Sequence, residues 1–206
     1  MSFRTRRLSA LALLIAVTLS GAVWPAAGVA GQGKERIIVV RNDFNPPTKI
    51  KVVKAKDKVI KTGKEFLDED DWFEGLTVSL VNDTGKAILS IHIDVWLVRP
   101  EEQAQVPPYV YQLSYGGDPF WYKPWEEYRT DKPPIPPGSE VDIVLSAEEY
   151  NHVKSSLEEL GYPPGHKKIE IRITTIGFTD GTVWDYGVYR RRDPTAPSGW
   201  RKDEPR

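Results

Sequence analysis

"TIGFTDGTVWDYGVYRRRDP", residues 175–194, decides the fold. Two of its carboxylates, Asp180 and Asp185, stand in a setting rich in threonine and aromatic residues. Paired carboxylates serve glycoside hydrolysis when their separation in space suits the mechanism. The spacing here fits a turn better. Upstream, Ile169, Ile171 and Ile173 alternate with Glu170, Arg172 and Thr174. Period-2 alternation is the mark of a half-buried strand. The strand continues through Thr175 to Phe178 with a bulge. Asp180-Gly181, between Thr179 and Thr182, predicts a type I′ hairpin turn, in which both central residues take positive φ. Val183 to Tyr189 returns as the partner strand, with Trp184, Tyr186 and Val188 on one face. Asp180 is thereby assigned to architecture.

The same alternation recurs upstream. Ile37–Val40, Ile50–Val53 and Val59–Ile60 are short apolar runs bounded by Asn, Asp, Pro, Gly or Lys, and they predict short strands. Leu76, Val78 and Leu80 alternate with Thr77 and Ser79. After the Asn82–Gly85 turn, Leu89, Ile91, Ile93, Val95 and Leu97 share one face of a candidate central strand. Ser90, His92, Asp94 and Trp96 share the other. Tyr109, Tyr111, Leu113 and Tyr115 predict another strand, as do Val141, Ile143 and Leu145. One helix is predicted over 147–160. Ser146 and Glu149 form a capping box, and Tyr150, Val153, Leu157 and Leu160 fall on one face. Gly161 suits a left-handed cap, and Pro163-Pro164 stop the helix. Strands in this number, a single late helix and no βαβ alternation predict an all-β antiparallel sandwich, with the helix capping an edge or end of the core.

The chain ends frame that domain. Arg4, Arg6 and Arg7 precede an apolar run from Leu8 to Val23, and small residues follow from Ala26 to Gly31. This predicts a secretory signal peptide over 1–30. The run of about 16 residues is shorter than the roughly 20 that span a bilayer. A linker over 31–36, a sandwich domain over 37–190 and a tail over 191–206 follow, the tail pinned by Trp200 or else frayed. There is no cysteine. Disulfides and thiolate metal sites are excluded, and the exported chain must stabilise itself by core burial. Without the leader's three arginines, 25 Lys and Arg remain of 28 against 29 Asp and Glu, a net charge near −4. That balance argues against nucleic acid and anionic membrane as partners.

Few residues are arranged for chemistry. His92, His152 and His166 have no H-x-H or H-E-x-x-H spacing, so no metal site is predicted. His92 and Asp94 share a face and could pair with a distant serine, but no G-x-S-x-G accompanies them. Asp68 to Asp71 reads as a solvated acidic loop, because adjacent carboxylates are poor ligands for one calcium ion. Arg190-Arg191-Arg192 reads as a solvated strand end. No cofactor is expected. The strongest candidate is the aromatic, proline-rich loop over 116–138. Tyr115, Trp121, Tyr122, Trp125 and Tyr128 form a candidate ligand-binding set, because exposed Trp and Tyr give large contact area for little entropy. The competing reading folds these rings inward as packing.

Two segments carry a resemblance. "LVNDTGKAILSIHIDV" (Leu80 to Val95) and "PPGSEVDIVL" (Pro136 to Leu145) resemble the strand–turn–strand and later P-G-E-type strand of secreted bacterial immunoglobulin-like modules of the FxLYD type. The resemblance implies an immunoglobulin-like sandwich in a periplasmic or extracellular location. It implies no activity and transfers no functional residue. The expectation is an exported, non-catalytic binding module that contacts an envelope protein or glycan, with no membrane contact once the leader is removed. The alternatives are a secreted hydrolase using paired carboxylates and a structural spacer domain.

Overall fold

The computed structural model describes residues 33–99, 107–120, 131–163 and 165–203. The predicted leader and four of the five candidate aromatics (Trp121, Tyr122, Trp125 and Tyr128) lie outside them. The chain is an all-β sandwich of two sheets with one helix.

The first sheet holds four strands in the order β3 (Lys58–Ile60), β2 (Lys49–Ala55), β5 (Thr77–Val81) and β8 (Glu140–Val144), all antiparallel. The second is built around β9 (Lys168–Phe178), which is the isoleucine run of the sequence. Along one side of β9 lies β6 (Ile88–Leu97), and β7 (Tyr109–Tyr115) lies beyond it. Two strands share the other side. β1 (Lys34–Arg41) pairs with the first half of β9 and β10 (Thr182–Asp185) with the second. β4 (Glu65–Asp68) extends the sheet past β1, while β11 (Val188–Arg192) and β12 (Trp200–Lys202) extend it past β10. Every ladder is antiparallel except β1 on β9, which is parallel. Turn chemistry reveals only strands adjacent in sequence, and a parallel pair needs a crossover. Here most of the chain intervenes.

The core forms where the alternating aliphatics meet. Ile38, Val53, Val78, Leu80, Ile91, Ile93, Val95, Leu97, Ile143, Ile169, Ile171 and Ile173 are all buried in one cluster. Helix α1 (Ala147–Glu159) adds Tyr150, Val153 and Leu157 to it, and Tyr150 meets Phe73 edge-on at 5.0 Å between ring centroids. The Ser146/Glu149 capping box is complete. Leu160 departs from the expected apolar face: it is the C-cap and is 53 % exposed, because the helix ends one residue before it.

Bulges and turns move several side chains from their predicted places. The β6–β9 register slips between Ile88 and Ser90. Leu89 is the extra residue, so Ile88 enters the core and Leu89 does not. A second slip, between His92 and Ile93, leaves Thr174 without a partner in this ladder, one residue before the stretch expected to bulge. The Asp-Gly hairpin is not type I′. Gly181 N donates to Phe178 O at 3.1 Å and only Gly181 has positive φ, which makes a three-residue loop closed by a left-handed glycine. Within this C-terminal stretch the pair with two positive φ values is Tyr186-Gly187, at 43° and 87°. It turns β10 into β11, so Val183 to Tyr189 is two strands and not one. No residue type at position 186 announces this turn. A Cβ at position 187 would meet Phe44 O at 3.3 Å, so glycine is needed there for space as well as for φ.

The flanks are also more ordered than charge suggested. β1 opens at Lys34, inside the stretch read as a linker. β12 pairs with β11, and Trp200 sits opposite Arg192, so the described part of the tail is pinned. The arginine triplet is engaged too. Arg190 pairs with Asp185 and Arg191 with Asp203, each at 3.3 Å, and the Arg192 guanidinium lies 5.5 Å from the Trp200 ring centroid.

Candidate functional site

Among the candidate binding aromatics, only Tyr115 lies within the described residues. It is half-buried at the end of β7, and its hydroxyl donates to Pro133 O at 2.6 Å. That bond ties the two ends of the aromatic loop together. Gly116, with φ 70°, turns the chain out of β7. The Asp118 carboxylate then accepts from Phe120 N at 2.8 Å, a local turn that orients Pro119 and Phe120. Both dock on the sheet. A Cβ on Gly177 would lie 2.5 Å from Ser90 Oγ, so β9 carries glycine opposite Ser90, and Pro119 of the loop stem would touch that Cβ at an ordinary 3.5 Å. Phe120 meets Trp200 edge-on at 5.0 Å. Between this stem and the Asp-Gly hairpin lies a cleft of about 330 Å³, lined by Leu89, Pro119, Phe178, Val183, Arg192 and Trp200, among others. The bulge that expels Leu89 from the core therefore supplies an apolar wall here.

Beside the stem lies the polar row of β6. Ser90, His92 and Asp94 are all buried, although they alternate with the core residues Ile91, Ile93 and Val95. They do not form a catalytic triad. Ser90 Oγ has no hydrogen-bond partner among the described residues. Asp94 accepts from Tyr186 Oη at 3.2 Å and Thr174 Oγ at 3.5 Å. Burial lowers the His92 pKa, while Asp118 and Asp94 oppose that shift. The suggested paired carboxylates are likewise committed. Asp180 accepts from Thr182 N at 3.0 Å and Thr182 Oγ at 2.5 Å, and pairs with Lys86 at 2.7 Å. Burial alone would raise its pKa, but the bonds from Lys86 and Thr182 win and bring it to about 2. Asp185 accepts from Thr175 Oγ and Arg190 Nε, both at 3.3 Å.

A second constellation was not foreseen. Arg36 on β1 is 1 % exposed. Its guanidinium donates to Gly165 O at 2.8 Å, His166 O at 3.0 Å, Glu69 O at 3.2 Å and Asp70 Oδ1 at 2.7 Å. Trp72 Nε1 donates to the same His166 carbonyl at 2.7 Å. The supposed solvated acidic run is thus half of a fastening. Asp70 binds Arg36 and Lys34, and Asp71 binds Lys56. Gly165 makes it compact: its φ is 74°, and a Cβ there would lie 2.1 Å from Asp70 Oδ1.

Above this floor is a cleft of about 760 Å³ between α1 and the β4–β5 loop. Phe73, Tyr150, Leu157, Tyr162 and Pro163 form its apolar walls. His166 joins them, 5 % exposed and edge-on to Tyr162 at 5.2 Å. Burial, with Arg36 and Arg99 nearby, brings its pKa down to about 4, so the ring is neutral at pH 7. One signal in the sequence pointed here. Alternation back from Ile38 puts Arg36 on the buried face of β1. A charged residue in a core position needs partners.

No protein-family model, curated protein or solved structure matches this chain.

Proposed function

We propose that the chain is an exported, non-catalytic binding module that contacts an envelope protein or glycan through its aromatic loop. One observation carries the reading: the loop is held at both ends and its stem is docked. Tyr115 is bonded to Pro133, and Phe120 is seated on Trp200. A loop anchored this way loses less entropy on binding than a free one. The apolar cleft beside Trp200 extends the contact surface. The hydrolase alternative is weakened because Asp180 and Asp185 each satisfy a turn or strand partner. The resemblance of Leu80–Val95 to secreted immunoglobulin-like modules agrees with export.

Co-sedimentation with isolated cell-wall sacculi and with envelope membranes tests the proposal. The protein is expected to pellet with one of them. Retention of a Trp121→Ala/Trp125→Ala double variant should drop to about a tenth, with an unchanged melting temperature, because aromatic anchors carry most interface energy. Trp200→Ala should reduce retention less. Equal retention by all variants, or loss of the fold in the double variant, refutes the loop as the contact surface.

A further inference from the structure

We propose a second binding site, independent of the aromatic loop: the cleft between α1 and the β4–β5 loop takes a basic side chain, Lys or Arg, from a partner polypeptide. Three observations point there. The cleft is large enough for a peptide segment, about 760 Å³, within the range of ligand pockets. Its walls of Phe73, Tyr150, Leu157 and Tyr162 suit an aliphatic stem, and lysine and arginine stems bury well against such surface.

The charges complement this ligand. Four carboxylates and one Lys154 line the cleft. Asp70 and Asp71 already hold Lys34, Arg36 and Lys56. Glu69 and Glu158 also line the cleft, with no ion pair among the described residues. They sit on different elements, the β4–β5 loop and α1, so a cation between them would join the two.

The third observation is His166. Its ring lines the cleft, nine-tenths of the residue is buried, and Nδ1 meets no hydrogen-bonding partner among the described residues. A buried polar atom without a partner is uncommon in folded proteins. A peptide group entering beside the basic side chain would supply the missing bond. The ring is uncharged at neutral pH, so it does not repel the incoming cation.

Fluorescence anisotropy with labelled, end-blocked six-residue peptides tests the site. One alternates lysine with leucine, and a control replaces lysine by glutamate. The basic peptide should bind and the acidic one should not. Glu69→Gln/Glu158→Gln should weaken binding about tenfold, in keeping with two rim ion pairs of up to about 1 kcal/mol each. Lys154→Gln should tighten it severalfold. Trp200→Ala should leave it unchanged, which separates this site from the loop. Both glutamates are at the cleft mouth, and an unaltered melting temperature verifies the fold. Preference for the acidic peptide, binding of a chito-oligosaccharide instead, unchanged affinity in the double variant, or no binding at millimolar peptide each overturns the assignment.

Discussion

Two regions of this sandwich bury a histidine, and they do it in opposite ways. At the helix end, His166 sits over Arg36, with Arg99 close by, and these cations add to burial in keeping the ring neutral. Under the loop stem, His92 is also held below its ordinary pKa by burial, but its charged neighbours are the anions Asp118, Asp94 and Asp185, which pull it back. The bonding differs in the same sense. The helix end is fastened by charged donors from Arg36 at 2.7 to 3.2 Å. The loop side relies on hydroxyl contacts at 3.2 to 3.5 Å around Asp94. Hydroxyl bonds normally span about 2.5–3.0 Å, so those on the Asp94 side are stretched, whereas N–H bonds of about 2.7–3.2 Å are of normal length. The helix end is therefore a rigid fastening with a cleft above it, and the loop side is a looser polar layer under a docked segment.

The comparison breaks most directly at Arg36. Arg36→Met should destabilise the fold by about 2–4 kcal/mol, because the Gly165 and Glu69 carbonyls lose the donor they share, while Asp70 keeps Lys34 and the His166 carbonyl keeps Trp72. Urea denaturation measures this. A loss under 1 kcal/mol would place the fastening elsewhere.

Acid is the next probe. A histidine whose folded pKa is about 4, against an ordinary 6.5, gives stability that is complete above pH 6.5. It is lost as the pH falls to 4, because only the unfolded chain takes up the proton in that window. The loss attributable to His166 is about 3 kcal/mol. His166→Phe, which preserves a ring against Tyr162, should flatten the fall in melting temperature between pH 6.5 and 4. His92 contributes with the same sign, so part of the slope should persist. Below that window Glu170 takes over. Its bond from Arg41, helped by Lys168 and Arg172, holds its pKa at about 2, against an ordinary 4.5. The stability it provides is therefore lost between pH 4.5 and 2.

Gly165→Ala should cost about 2–3 kcal/mol, part from placing a side chain at positive φ and part from crowding the buried Arg36 Nη2, which the new Cβ would meet at 2.8 Å. The Asp70 carboxylate is half-exposed and can yield to the new methyl group. Smallest of all is Asp180→Ala, at or under about 1 kcal/mol, since it removes one turn acceptor and one exposed pair with Lys86. If Asp180→Ala abolished an activity while sparing stability, the assignment of this carboxylate to architecture would fall.

Much of the β framework was legible because alternation is a local signal. Ile169, Ile171 and Ile173 announced β9, and the Ser146/Glu149 box announced α1. Local reading failed where one residue shifted register. Leu89 alternates correctly in sequence yet bulges out of the core, and nothing in its own chemistry says so. The Tyr186-Gly187 turn was hidden because tyrosine is a poor predictor of positive φ; space against Phe44 and the bond to Asp94 hold it there. The helix-end cleft was hidden for a different reason. Arg36, Asp70, Trp72 and His166 come from distant parts of the chain, and only their contacts reveal a common purpose.

By itself the sequence determined most of the extended segments, the helix and most of the aliphatic residues that face inward, since period and capping act over a few residues. Tertiary structure alone decided that β1 lies parallel to β9, that a buried arginine fastens the helix end, and that a cleft opens beside it. Those outcomes depend on pairing free energies between segments up to 131 residues apart, which no short window of sequence encodes.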